Sequence, residues 1–149
     1  MIKEHDEYKL IIGCGNQKDE GWISIDKADY GHNIVRDLRR GLPFCDDSVS
    51  EIRAESVLEH ICDNDDYIFV MNECLRVLKN EGTMYILVPH WRGRSAYKDP
   101  THCRFFDEKT FCYLEKENDW HYGFDKRWKI ESMKNNGDIT LEVILRAEK

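Results

Sequence analysis

The chain lacks any apolar run of membrane-spanning length, and its start, Met1-Ile2-Lys3-Glu4-His5-Asp6-Glu7, is too polar for a secretory leader. Neither a membrane anchor nor export is expected, which leaves a cytoplasmic protein as the default expectation. No C-x-x-C pair occurs among the six cysteines, Cys14, Cys45, Cys62, Cys74, Cys103 and Cys112. Without paired spacing, and in a reducing compartment, they read as free thiols, mostly small core residues. Basic residues are in deficit: the net charge of −7 argues against a nucleic-acid partner, since binding phosphate calls for a basic face. Repeats and low-complexity tracts are absent as well.

What is present is the composition of an ordinary folded globule, 41% hydrophobic and 34% charged, so intrinsic disorder is excluded. A length of 149 residues fits one domain, 1–149, with one core. Lys9-Leu10-Ile11-Ile12 reads as a buried strand closed by the turn Gly13-Cys14-Gly15. Trp22-Ile23-Ser24-Ile25-Asp26 and Asn33-Ile34-Val35-Arg36-Asp37 are two further short strands, each ending on an acid. Residues 50–56 offer a fourth, weakly patterned strand. Asp63-Asn64-Asp65-Asp66 supplies a helix cap and an acidic first turn. Tyr67, Ile68, Val70, Met71, Cys74, Leu75, Val77 and Leu78 then recur at helical spacing, with Lys79-Asn80-Glu81-Gly82 as basic last turn and glycine stop, so the pattern predicts a helix over 65–80. Thr83–Val88 is a buried strand stopped by Pro89. A polar, aromatic loop spans 90–105, and Asp107 caps a short helix at 108–115. Residues 127–133 and 139–146 alternate around Asn135-Asn136-Gly137-Asp138, the signal of a hairpin. The order predicts an α/β fold: a mainly parallel sheet closed by an antiparallel hairpin.

In such sheets ligands bind beyond the carboxyl ends of the strands, near the point where the strand order reverses. Three strand ends carry suitable residues. Gly13 and Gly15 permit a tight turn and close backbone approach, while Asp26 and Asp37 place carboxylates where a ribose diol can be bound. The series Leu10-Ile11-Ile12-Gly13-Cys14-Gly15, Gly21-Trp22-Ile23-Ser24-Ile25-Asp26, Asp37-Leu38 with Leu42-Pro43-Phe44, Leu58-Glu59-His60 and Arg76-Val77-Leu78-Lys79-Asn80-Glu81-Gly82 resembles class I S-adenosylmethionine-dependent methyltransferases. It looks most like a short bacterial and viral branch with a "GCG … GW-x-x-x-D … LEH … RVLK-x-x-G" pattern, matched by motif over residues 9–115 and beyond them by the order of elements.

The resemblance implies a Rossmann-like methyltransferase fold and S-adenosylmethionine as cofactor. Gly13, Cys14 and Gly15 would pass beneath the methionine part. Asp26, with Lys27 beside it, would hold the ribose hydroxyls. Asp37 would lie near the adenine, and Leu38 would pack on the ring. Ser56, Val57 and His60 would line the pocket near the methyl donor, with Glu59 close by. Two departures stand out: no acid precedes the glycine turn and its third glycine is missing, and Asn16–Glu20 is too short for the usual helix, so the N-terminal helices are reduced.

His60, His90 and His102 are the candidate general bases, histidine being the side chain that ordinarily titrates near neutrality. For His60, a base and a structural cap are equally good readings. The loop carrying His90 and His102 follows the fifth strand, where polar loops carry binding disproportionately; otherwise it is a surface loop whose Trp and Phe residues cover the sheet. His90, His102, Cys103 and Cys112 match no compact zinc spacing, and no metal is expected. Trp120, His121, Tyr122 and Trp128 read as core edge. The motifs Asn/Asp-Pro-Pro-Tyr/Phe and Pro-Cys, marks of enzymes that methylate nucleic acids, are both absent. The expectation is methyl transfer to an O or N atom of a small-molecule acceptor, a sugar or metabolite. Its rivals are another S-adenosylmethionine reaction, such as a lyase or aminopropyl-type transferase, or an inactive S-adenosylmethionine-binding protein.

Overall fold

The computed structural model describes residues 7–149, so all of the polar start but Glu7 lies outside the described residues. In chain order the regular elements are β1 (Tyr8–Ile12), β2 (Ile23–Asp26), β3 (Ile34–Val35), β4 (Val49–Glu55), α1 (Asn64–Val77), β5 (Leu78–Pro89), α2 (Ser95–Lys98), β6 (Trp128–Asn136) and β7 (Thr140–Ala147). They form one seven-stranded sheet in the order β3-β2-β1-β4-β5-β7-β6. The first five strands pair in parallel, whereas β7 runs antiparallel to both β5 and β6. The chain winds outward from β1 to β3, then returns to the other side of β1 to lay down β4 and β5. That reversal puts a switch point between β1 and β4. The mainly parallel sheet with a closing antiparallel hairpin is the expected architecture, and no helix forms between β1 and β2.

One face of the sheet makes the core. Ile52 and Ala54 of β4, Met84, Ile86 and Val88 of β5, and Leu141, Val143 and Leu145 of β7 alternate onto it and are all but inaccessible. Helix α1 covers that face with Tyr67, Val70, Met71, Cys74 and Leu75, each aliphatic side chain contributing about 1.5–3 kcal/mol by burial. The opposite face bears the intervening residues. There Arg53 lies 3.9 Å above the Trp22 ring and pairs with Asp19 at 2.7 Å, so a cation–π contact and an ion pair clothe the sheet beside β1.

Helix α1 begins where the sequence places it. The Asp63 carboxylate accepts from the Asp66 N–H at 3.0 Å, and Asp65 and Asp66 sit in the positive first turn. It ends three residues earlier than the predicted boundary at 80. Leu78 is already in the ladder opposite Val49, and Arg76 folds back to Glu73 and Asp46, each at 2.7 Å. Gly82 is not a helix stop but a point of close approach, since a Cβ there would lie 2.9 Å from the Lys79 carbonyl oxygen. The expected helix at 108–115 is a 3-10 turn, Thr110–Leu114. Of the predicted core-edge aromatics only Trp128 is buried. Trp120 and Tyr122 stack on one another and remain 61% and 56% exposed.

The cysteines are not all free. Cys62 and Cys103 form a disulfide with their Cα atoms 5.3 Å apart. The Cys103 and Arg104 N–H groups both donate to the Glu59 carbonyl, at 3.0 and 3.3 Å, and Arg104 Nε donates to the Ile61 carbonyl at 3.0 Å. These bonds sew the loop after β5 to the segment after β4, and the two thiols meet as a result. With the two 41 positions apart in sequence and no motif around either, nothing local in the chain announces the pair.

Candidate active site

A cleft of about 820 Å³ opens at the carboxyl ends of β1, β2 and β4, at the switch point of the sheet. Gly13, Gly15, Asp26, Lys27, Asp37, Leu38, Ser56, Val57 and His60 all line it, so nine of the ten residues expected to hold a cofactor are brought together. Cys14 is the exception. Its thiol turns away to the Ile25 carbonyl, 3.3 Å off, and toward the His32 ring. Burial, with the charge of Asp26, raises the Cys14 thiol above its ordinary pKa.

The two glycines serve different purposes. At Gly13, φ is +59° and a Cβ would lie 2.1 Å from a Val57 methyl, so only glycine lets β1 turn beside the end of β4. At Gly15, φ is +53° and a Cβ would meet nothing within 4 Å. Its bare backbone is a cradle open to a ligand. The Gly15 N–H donates to Asp26 Oδ2 and the Ala28 N–H to Asp26 Oδ1, both at 2.9 Å. These bonds fix the carboxylate against the turn, and each oxygen keeps a lone pair for a ligand hydroxyl. Ser56, just beyond β4, is held at φ +54°, a left-handed conformation uncommon outside glycine, by its N–H bond to the Leu87 carbonyl at 2.9 Å.

Asp37 lines the cleft, but its carboxylate is engaged. It accepts from the Arg39 N–H at 3.0 Å and grips the Arg39 guanidinium at 2.6 Å, which holds its carboxyl down at about 2. Its local task is to cap the 3-10 turn Leu38–Arg40, which presents Leu38 to the cleft.

The loop after β5 reaches the cleft with Pro100, Thr101 and Cys103 but not with either of its histidines. His90, at the end of β5, is buried. It accepts from the Arg92 N–H on Nδ1 at 3.3 Å, so Nε2 carries the proton and meets Glu108 at 3.2 Å. His102 lies behind the cleft wall with its ring 4.7 Å from that of His60. Its Nε2 is 3.8 Å from Glu59 and 3.7 Å from Asp99. Glu59 is 1% exposed, and among the described residues its carboxylate has no hydrogen-bond partner beyond its own backbone. Burial pushes its carboxyl pKa up. Of the three histidines read as possible bases, only His60 faces the cleft. His90, His102, Cys103 and Cys112 do not converge: Cys103 is in the disulfide, and His90 and His102 belong to separate clusters.

No family model and no curated protein matches the sequence. Solved structures do match the fold. An S-adenosylmethionine-dependent methyltransferase from Methanosarcina mazei superposes with a TM-score of 0.69 at 18% identity, over 98% of this chain and 94% of the other. The fold is that of the class I methyltransferases. Burkholderia thailandensis 1,6-didemethyltoxoflavin-N1-methyltransferase, solved with bound 1,6-didemethyltoxoflavin and S-adenosylhomocysteine, gives 0.67 at 12% identity, covering 96% of this chain and 72% of that one. The cyclase SpnF gives 0.67 at 12% identity, covering 97% and 76%. Among the described residues, no helix is long and apolar enough to cross a membrane.

Proposed function

We propose that the chain binds S-adenosylmethionine in this cleft and transfers its methyl group to an O or N atom of a small-molecule acceptor. The observation that carries the reading is the convergence of Gly15, Asp26 and Ser56 at three adjacent strand ends, at the switch point. The residues fit the cofactor. Gly15 offers bare backbone to its methionine part, the remaining lone pairs of Asp26 suit the ribose diol, and Leu38 offers an apolar surface for adenine. Asp37 would serve mainly by shaping the Leu38 turn, because Arg39 already occupies its carboxylate.

Bound there, the cofactor supplies a methyl group on an electrophilic sulfonium. The chain's share is alignment of the acceptor with that methyl, by which positioning alone can lower a barrier by several kcal/mol. Ser56, Val57 and Thr101 form the wall on the acceptor's side, and His60 is the group there that would take the acceptor's proton. Support for a small acceptor comes from the acidic balance and from the neighbour named as the N1-methyltransferase of 1,6-didemethyltoxoflavin.

Calorimetry tests the cofactor. Asp26→Ala should weaken S-adenosylmethionine binding about 10–100-fold, the cost of charge-assisted hydrogen bonds, whereas Cys14→Ala should change it less than about threefold. The reverse order, or no binding of either S-adenosylmethionine or S-adenosylhomocysteine by the intact chain, would overturn the reading. Because a cyclase shares the fold, product analysis separates the chemistries: S-adenosylhomocysteine marks methyl transfer, methylthioadenosine a lyase or aminopropyl-type reaction, and binding without product an inactive binder.

A further inference from the structure

We propose that Glu59, His60 and His102 form a binding site for one zinc-class divalent transition-metal ion, in the wall between the cleft and the loop after β5. A carboxylate oxygen of Glu59 and one ring nitrogen from each histidine all lie within 4.8 Å of one another. Two imidazoles and one carboxylate are a donor set suited to Zn²⁺ and its neighbours, and poorly suited to Mg²⁺ or Ca²⁺.

The hydrogen bonds around the cluster prepare it for a cation. His102 Nδ1 meets the Ala96 carbonyl at 3.2 Å. A carbonyl only accepts, so Nδ1 carries a proton, and in the neutral imidazole Nε2 holds the lone pair. That lone pair faces oxygens of Glu59 and Asp99 at 3.8 and 3.7 Å, too far apart for hydrogen bonds. Three electron-rich groups that face one another without a shared proton repel, and a positive charge between them relieves the repulsion.

His60 is set in the same manner. The Thr101 hydroxyl donates its one proton to Asp99 Oδ1 at 2.7 Å, so at 3.0 Å from His60 Nδ1 its oxygen accepts. His60 Nε2 is thereby the lone-pair nitrogen. Each histidine donates its other N–H outward, to a carbonyl or a hydroxyl backed by a carboxylate, the arrangement that orients imidazoles on metals. The independent sign is Glu59: 1% exposed and, among the described residues, with no hydrogen-bond partner for its carboxylate beyond its own backbone, it is a group that burial penalises unless a ligand compensates it.

Donor atoms about 2.0–2.2 Å from a shared ion lie roughly 3.3–3.5 Å from one another in a tetrahedral site. The spacing of 3.8 Å between His102 and Glu59 therefore contracts by about half an ångström on binding, and pairs as far apart as the 4.8 Å bound contract by up to about 1.5 Å. Exposed His60 gives the ion its route in from the cleft. Glu59 and His60 follow β4 while His102 follows β5, so the ion would bridge the two segments that the disulfide also bridges. In the loaded protein His60 is a ligand, and it can act as a proton acceptor only when the ion is absent. The inference does not depend on methyl transfer, because binding is measured without cofactor or acceptor.

The test titrates Zn²⁺ by calorimetry, and Co²⁺ by visible absorption, into the disulfide-intact protein without reductant. We expect one ion per chain, Co²⁺ bands of low coordination number without a thiolate charge-transfer band, and no heat with Mg²⁺. Glu59→Gln and His102→Ala should each weaken Zn²⁺ binding at least about 100-fold, and Thr101→Val about tenfold through the loss of ligand orientation. Should a variant not fold, ring ¹⁵N shifts of two histidines on adding Zn²⁺ to the unmodified protein give the same answer. No stoichiometric binding, a thiolate band, unmoved histidine shifts, or folded variants that bind as the parent does would each overturn the proposal.

Discussion

His90 with Glu108 and Asp138, and His60 and His102 with Glu59, have the same kinds of side chain and flank the same loop. Their hydrogen bonds differ. Around His90 the facing groups are matched to protons: Nδ1 takes the Arg92 N–H, Nε2–H meets Glu108, Glu108 is held again by Asn135 at 2.6 Å, and Asp138 Oδ1, 3.7 Å from Nδ1, accepts from Asn135 at 2.7 Å. A hydrogen bond from its own backbone, then those from Asn135 and His90, draw the Glu108 carboxyl below its usual value. Around His102 the protons point outward and the lone pairs inward. A closed cluster fastens a strand end; an open one leaves donor atoms facing one another, a charge pattern that a proton or a metal ion relieves. Composition and proximity do not tell the two apart, whereas the direction of each proton does.

The largest expected effect separates the clusters by what holds them in place. Replacing Cys62 and Cys103 by Ser removes a link worth about 4 kcal/mol for a loop of this length, read as a lower denaturant midpoint. It should weaken Zn²⁺ binding at Glu59 and leave the ring signals of His90 unchanged; a change at His90 instead would erase the distinction. Next, His90→Ala should cost about 2–3 kcal/mol in chemical denaturation, through lost packing and unpaired neighbours, and leave Zn²⁺ affinity as it was. An ion lost along with His90 would relocate the metal site.

Glu59→Gln works in the opposite sense. In metal-free protein it removes a buried, unpartnered carboxylate and should raise stability by about 1 kcal/mol. A loss of that size would reveal a protein partner for Glu59 and make the open cluster a closed one. Smallest of all, Glu108→Gln should cost about 0.5 kcal/mol in the same denaturation measurement, since the Glu108 side chain is 48% exposed and the pair is screened by water. A cost several times larger would show that the closed cluster is more than a surface tie.

The parts that depend on local pattern were legible in the sequence. The buried run before Gly13, the acid at Asp26 and the cap at Asp63 each write their structure within a few residues, and the cleft at the strand ends followed from them. The C-terminal limit of α1 was not legible, because Arg76 and Leu78 answer to partners on other elements, at Asp46 and Val49. Cys14 was assigned to the cleft as a member of its glycine turn, yet the sequence of a turn does not say to which side its middle residue points. Glu59 and His102 stand 43 positions apart, and the cysteines beside them 41. Their meeting is a product of tertiary hydrogen bonds to the Glu59 carbonyl, and no spacing rule reports it.

The disulfide also makes a closed covalent ring of everything from Cys62 to Cys103, including α1 and β5. Arg92 and Arg94 lie exposed within that ring. A protease that nicks the chain at either site therefore releases nothing: the two pieces migrate as one molecule until a reductant is added, and only then come apart at a size that names the cut.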